Sequence, residues 1–311
     1  MRYTAVIRTL GTAGEKYQQL LDSLQAQTII PQAILVYIAE GYPLPKETIG
    51  TERYIYVKKG MVAQRALPYD EVKTEWMLFL DDDLLLPPNF VETLYNQLIE
   101  NQADVISPDI FPNDKRPFLG KVMMALSGRM LPHRDDGKWG YKVMRTAGYS
   151  YNNHPTKSVY QSQTNAGACF MCRKQTFLNI HFENDLWMDK LAYAQGEDQV
   201  MYYKMHLLGK KLLTSYNCGI VHLDAGQNLS REKKEKLIYS DFWFRIIFWY
   251  KYIYKKDKYI VQQIWSFMCI SYFVFFSFFV SLFKCNIKIL LIKIQALRNA
   301  LNSIEQRNIG T

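Results

Sequence analysis

Cysteine is scarce in this sequence, with five in 311 residues. The number is odd, and Cys169, Cys172, Cys218, Cys269 and Cys285 lack the spacing of a disulfide framework, which fits a reducing compartment. Cys169 and Cys172 have CxxC spacing, but no second such pair and no nearby histidine pair completes a zinc site. They read as small buried hydrophobes. The N-terminus lacks an apolar stretch long enough for a secretory signal, so the front of the chain is expected in the cytoplasm. Net charge is missing from residues 1–230, which hold 24 Lys and Arg against 24 Asp and Glu. Residues 231–311 hold 14 against 5 and carry the whole excess of +9. That asymmetry points to an acidic partner for the C-terminal part, either anionic lipid or nucleic acid. Global disorder is excluded by 49% apolar and only 22% charged residues.

The most informative stretch is Trp76-Met77-Leu78-Phe79-Leu80-Asp81-Asp82-Asp83. An unbroken apolar run reads as a strand buried on both faces of a parallel sheet. Ligands of open α/β sheets gather at the carboxyl ends of such strands. Three adjacent carboxylates repel one another, and a hard cation such as Mg²⁺ or Mn²⁺ would keep them ionised. A solvated acidic turn is the plain alternative.

Around that stretch, strands and helices alternate. Strands are expected at residues 3–7, 33–39, 54–57, 76–81 and 104–107, and helices at 15–27, 61–71 and 89–100. This order indicates a three-layer α/β sheet. Residues 108–163 show no clear period and read as a long irregular segment, a lid or binding loop. A strand returns at residues 165–173, with Gly167 allowing close approach of a ligand to the backbone. Gly196-Glu197-Asp198 opens a helix that closes at Gly209. Two short strands follow, at 211–215 and 219–222.

In this order the motifs resemble the GT-A glycosyltransferases of family 2 over residues 3–223. The residues that carry the likeness are Gln64-Arg65-Ala66, Asp81-Asp82-Asp83, Asn165-Ala166-Gly167-Ala168, Glu197-Asp198 and His222. The resemblance implies a nucleotide-diphosphate sugar as donor and Mn²⁺ or Mg²⁺ as cofactor. It places Asp81, with Asp82, near the nucleotide, puts Asp83 and His222 on the metal and has Arg65 assist the diphosphate. It makes Asp198 the general base of an inverting transfer, with Glu197 beside it and a pKa raised by burial. Trp187 is expected to stack on an acceptor sugar or to belong to the core. The chain departs from the family where Arg8 ends the first strand and where Glu40 is the sole acid ending the second. Both stand as candidate donor contacts. A Gln-x-x-Arg-Trp signature after His222 is absent, which favours single addition over polymerisation. A catalytically silent sugar-nucleotide or glycan-binding protein on the same fold is the alternative.

The catalytic domain is expected over residues 1–230, and residues 231–311 form a basic, aromatic tail. Residues 259–283 lack any charge. As a helix they would reach about 37 Å against a hydrocarbon core of roughly 30 Å, so they are long enough to span or to lie in the interface. Lys and Arg beside aromatic rings suit a membrane surface better than nucleic acid once this apolar stretch is counted. The expected setting is the cytoplasmic face of an inner membrane, with a glycan or lipid-linked acceptor. Ile287, Leu290, Ile294, Leu297, Leu301 and Ile304 form a short heptad stripe that suits a homodimer or packing on its own domain.

Overall fold

A computed structural model describes residues 1–110, 116–216, 218–223 and 230–306. The chain begins β1 (Tyr3–Thr9), α1 (Glu15–Gln25), β2 (Ala33–Ala39), β3 (Glu52–Val57), β4 (Trp76–Asp81), β5 (Leu84–Leu85), α2 (Phe90–Glu100) and β6 (Val105–Pro108). It continues with α3 (Phe118–Leu126), β7 (Met130–His133), β8 (Trp139–Val143), β9 (Tyr149–Asn152), β10 (Val159–Ser162) and β11 (Cys169–Arg173). After α4 (Lys174–Leu178) and a 3-10 segment, Phe182–Lys190, come α5 (Glu197–Leu207), β12 (Leu212–Ser215) and β13 (Val221–His222). The last elements are α6 (Arg231–Phe248), α7 (Ile260–Phe283) and α8 (Ile287–Glu305).

The large sheet has the order β3-β2-β1-β4-β11-β6-β12-β10-β8-β9-β7, and β13 pairs with β5 in a separate ribbon. From β3 to β4 all neighbours are parallel, whereas β11 runs antiparallel to both β4 and β6. Most pairings in the sheet are parallel, as the continuous apolar strands require, because both faces are covered.

Period-two alternation sorts the side chains into two layers. Tyr3, Ala5 and Ile7 of β1 face Leu20 and Leu24 of α1 and Phe90 and Leu94 of α2 in one core. Val6 of β1, Phe79 of β4 and Phe170 of β11 face the other way, into a core with Val200 and Met201 of α5 and Phe242 and Phe248 of α6. The same alternation sends Arg8 and Asp81, the next outward positions after Val6 and Phe79, toward α5.

Two expectations change. Residues 61–71 form a series of turns, not a helix. Pro68 disfavours helical geometry at Leu67, and the Asp189 carboxylate captures the Val62 and Ala63 N–H groups at 3.0 and 2.8 Å. Within residues 108–163 the structure holds α3 and four short strands, β7 to β10, which extend the sheet beyond β12. These strands are four or five residues long and half-exposed, too short for a period to emerge. Residues 111–115 of that segment lie outside the described residues.

The boundary expected at residue 230 adjoins residues 224–229, which also lie outside them. Packing continues across it, since α6 shares one core with β4 and β11. Asp185, fully buried, reinforces this by accepting from Lys204 of α5 at 2.6 Å and from Lys251 beyond α6 at 3.1 Å. The heptad stripe lies partly outward: Ala296 and Ala300 turn inward on α8, while Ile287, Ile294 and Leu301 are exposed.

Candidate active site

The carboxyl ends of β1 and β4 meet where the parallel register pairs Arg8 with Asp81. Arg8 Nε donates to Asp81 Oδ1 at 2.6 Å, and its Nη2 donates to Asp81 Oδ2 at 3.2 Å. This two-point contact follows from register and alternation alone. Arg8 Nη1 reaches across to Glu197 Oε1 at 2.9 Å. Arg65, 2% exposed, donates from Nη1 to Glu197 Oε2 at 2.7 Å and to Asp198 Oδ1 at 3.0 Å. Its Nη2 donates to the Gly167 carbonyl at 2.7 Å. Two guanidinium groups therefore tie Asp81, Glu197 and Asp198 into one network drawn from four parts of the chain.

Two glycines make this approach possible. A Cβ at Gly167 would stand 2.0 Å from Asp198 Oδ1 and 2.7 Å from Arg65 Nη1. The space beside Gly167 is thus taken by Asp198 and Arg65. Gly196 holds φ +82° before α5, and a Cβ there would strike the Phe244 ring at 2.2 Å.

The two acids of α5 are in different electrostatic states. Burial pushes the Glu197 carboxyl up to about 7, against the pull of Arg65 and Arg8. Burial acts on Asp198 too, but Arg65, Arg8 and the Gly167 N–H together hold it below the usual carboxylate range. The raised pKa expected for Asp198 belongs instead to its neighbour. The Asp198 side chain is 35% exposed and Glu197 only 3%, so the ionised acid is the one that solvent or substrate can reach.

Asp83 and His222 are joined by the small ribbon. Antiparallel pairing sets His222 opposite Leu84, and the Leu223 N–H donates to the Asp83 carbonyl at 2.8 Å. His222 Nε2 then lies 3.2 Å from Asp83 Oδ2. Asp82 accepts from Thr9 Oγ1, and burial, with Asp81 and Asp83 beside it, moves its pKa up to about 6.

A cleft of about 510 Å³ opens over these groups, lined by Arg8, Thr9, Thr12, Lys16, Gln64, Asp81, Asp82, Asp83 and His222 among others. Glu40 is exposed at the end of β2 and does not line it. Trp187 is 6% exposed, packs on Trp243 at 5.4 Å and donates Nε1–H to Asp185 at 3.0 Å. A ring so enclosed is closed to an acceptor sugar and belongs to the core. Asp198, Glu197 and Arg65 stand behind Arg8 and do not themselves line the cleft. Sequence reading missed Thr9, Thr12 and Lys16. The strand–loop–helix unit of β1 and α1 was the available signal, since its loop caps a carboxyl strand end.

Residues 53–177 match the family model described as glycosyl transferase family 2. Over those residues the chain is similar to family 2 glycosyltransferases. The matched segment runs from β3 to α4 and includes Arg65, the three aspartates and Gly167. Arg8, Glu197, Asp198 and His222 lie outside it. One matching solved structure is described as GalNAc-T7 with UDP, GalNAc and Mn2+, at 14% identity and TM-score 0.49. The match covers 87% of this chain and 54% of that one, so the present chain spans about half the other's length. No curated protein matches the chain.

Proposed function

We propose that this glycosyltransferase moves one sugar from a nucleoside-diphosphate donor to an acceptor hydroxyl, with inversion at the anomeric carbon. The observation that supports it best is the joining of the Asp81–Asp83 cleft to Asp198 through Arg8 and Arg65. Asp198 is the base. It is held ionised and partly open, and it takes the acceptor proton as that oxygen attacks the anomeric carbon. The bond to the diphosphate breaks, and the diphosphate leaves with the electron pair. Glu197 and Arg65 are positioning residues. Arg65 is buried and donates to Glu197, Asp198 and the Gly167 carbonyl, so its role is to hold the acids.

Asp83 and His222 offer one hard oxygen and one imidazole nitrogen on the cleft, a donor pair that fits Mn²⁺ or Mg²⁺. Among the described residues no group of three such ligands occurs, so a cation held here keeps positions for diphosphate oxygens and water. When bound, the ion supplies charge neutralisation on the leaving group. The acceptor is a glycan, lipid-linked, met at the cytoplasmic face of an inner membrane to which the C-terminal helices attach. Among the described residues one helix, α7, is long and apolar enough to cross a bilayer.

The test is a screen of nucleotide sugars with Mn²⁺ or Mg²⁺, reading the nucleoside diphosphate released. We expect turnover with one donor class, strict need for the cation, and loss of turnover but not of donor binding in Asp198→Asn. Donor binding with no turnover in the wild type would support a silent binding protein instead.

A further inference from the structure

Helix α7 has its polarity reversed for a helix in water. Its inward face carries Ser266, Ser277 and Ser281, all buried, beside Ile270 and Phe273. Its outward face carries Val261, Trp265, Met268, Tyr272, Phe275 and Phe279, all exposed. Their spacings alternate four and three, so they form a single stripe along the helix. Water selects the opposite arrangement.

The patch does not end with α7. Helix α3 buries no residue, and its Phe118 and Leu119 are 82% and 70% exposed. The two helices meet where Tyr272 donates its hydroxyl to the Leu126 carbonyl at 2.5 Å. Around the patch the exposed charges are basic: Lys255, Lys256 and Lys258 precede α7, and Lys284 follows it. An apolar stripe with a cationic rim complements an anionic bilayer surface.

The inward face of α7 is tied to charged neighbours. Lys293 of α8 donates to the Ser277 carbonyl at 2.8 Å and to Ser281 Oγ at 2.9 Å. Arg145 pairs with Asp257 at 2.7 Å just before α7, and Arg129 lies 5.5 Å from the Phe273 ring. An upright helix keeping these contacts would draw Lys293 and Arg129 into hydrocarbon, where ionised groups are strongly disfavoured.

We propose that α3 and the outward face of α7 form one docking surface that lies in the plane of an anionic bilayer, sunk to the boundary of headgroups and acyl chains, with α7 crossing neither leaflet. This rests on the membrane attachment given under the proposed function and fixes its mode.

The test uses the full chain in flotation with vesicles of phosphatidylcholine and phosphatidylglycerol at about 7:3, and with phosphatidylcholine alone. The wild type should float with the anionic vesicles and poorly with the neutral ones. The double variant Phe118→Asp, Leu119→Asp should lose about a hundredfold of its vesicle partition, since each apolar side chain removed from lipid is worth about tenfold. Its donor hydrolysis in solution should be unchanged, which also reports that it folds. Unchanged flotation of this variant would overturn the shared surface. Failure of hydrolysis in the wild type with flotation intact would count against the transferase reading and leave the docking surface standing.

Topology is read separately. In sealed vesicles from cells expressing Lys258→Cys, an impermeant maleimide should label that position and the native Cys285 from the same side. Labelling from opposite sides shows a span and overturns the proposal, as would a soluble dimer that shields Phe118 and does not float.

Discussion

The cleft and the C-terminal helices bury polar groups for opposite reasons. Beneath the cleft, Arg65 and Glu197 are withdrawn from water and paired at 2.7 Å, and Arg8, which lines the cleft, holds Glu197 at 2.9 Å. Apolar strands surround them. In α7, Ser266, Ser277 and Ser281 are inside, while Trp265, Phe275 and Phe279 are outside. The first arrangement fixes charged side chains in place, which chemistry needs. The second leaves a surface that water alone would not favour, which suits contact with another apolar phase. A buried polar group thus means something different in the two regions, and only its partners tell which.

Substitutions sharpen this contrast, beginning with the largest effect. Asp198→Asn should lower turnover by about 10²- to 10⁴-fold, as expected for loss of a general base, while donor affinity measured by calorimetry stays within a few-fold. Asp83→Ala should raise the Mn²⁺ concentration needed for half-maximal activity by at least about tenfold, because it removes the carboxylate that lies 3.2 Å from His222. Unchanged metal dependence would separate the ribbon from metal binding.

Arg65→Met should cost roughly 3–5 kcal/mol in denaturant unfolding, since it leaves Glu197 buried with one cation fewer. Cutting the exposed Arg173–Glu75 pair should cost under about 1 kcal/mol. Equal costs would show that the cleft network is not the rigid element taken here.

The pH dependence carries a definite sign. Glu197 has a folded pKa of about 7 against an ordinary value of 4.5, so the folded state holds the proton more tightly. Its contribution to stability is fully present below about 4.5 and is lost as pH rises through 7. Glu197→Gln should flatten the stability curve across that window, measured by unfolding at several pH values. The smallest effect is expected for Lys293→Met. Burial holds that lysine down, to about 8, and a Met of similar length should change stability by about 1 kcal/mol or less.

Much of the fold was legible because local pattern and tertiary role agree. Ala33–Ala39 is a strand at the residues its apolar run marks, and α2 and α5 begin within a residue of their expected starts. Those segments are buried on both faces or bounded by Gly, Asn or Pro. The short strands β7 to β10 were not legible, because their place depends on pairing with β12, over 50 residues away from β10 in sequence. Trp187 was equally open, since an indole ring suits a core or a sugar, and Asp185 with Trp243 settled it.

The sequence by itself determined the order of motifs, the apolar strands, the charge asymmetry and the length of the uncharged C-terminal helix. These are properties of neighbouring residues and survive without coordinates. Tertiary structure alone decided that Arg8 faces Asp81, that Glu197 and not Asp198 carries the raised pKa, and that Ser266, Ser277 and Ser281 of α7 turn inward. Each depends on register or facing between segments distant in the chain, and burial and charge act through space, not along the polypeptide.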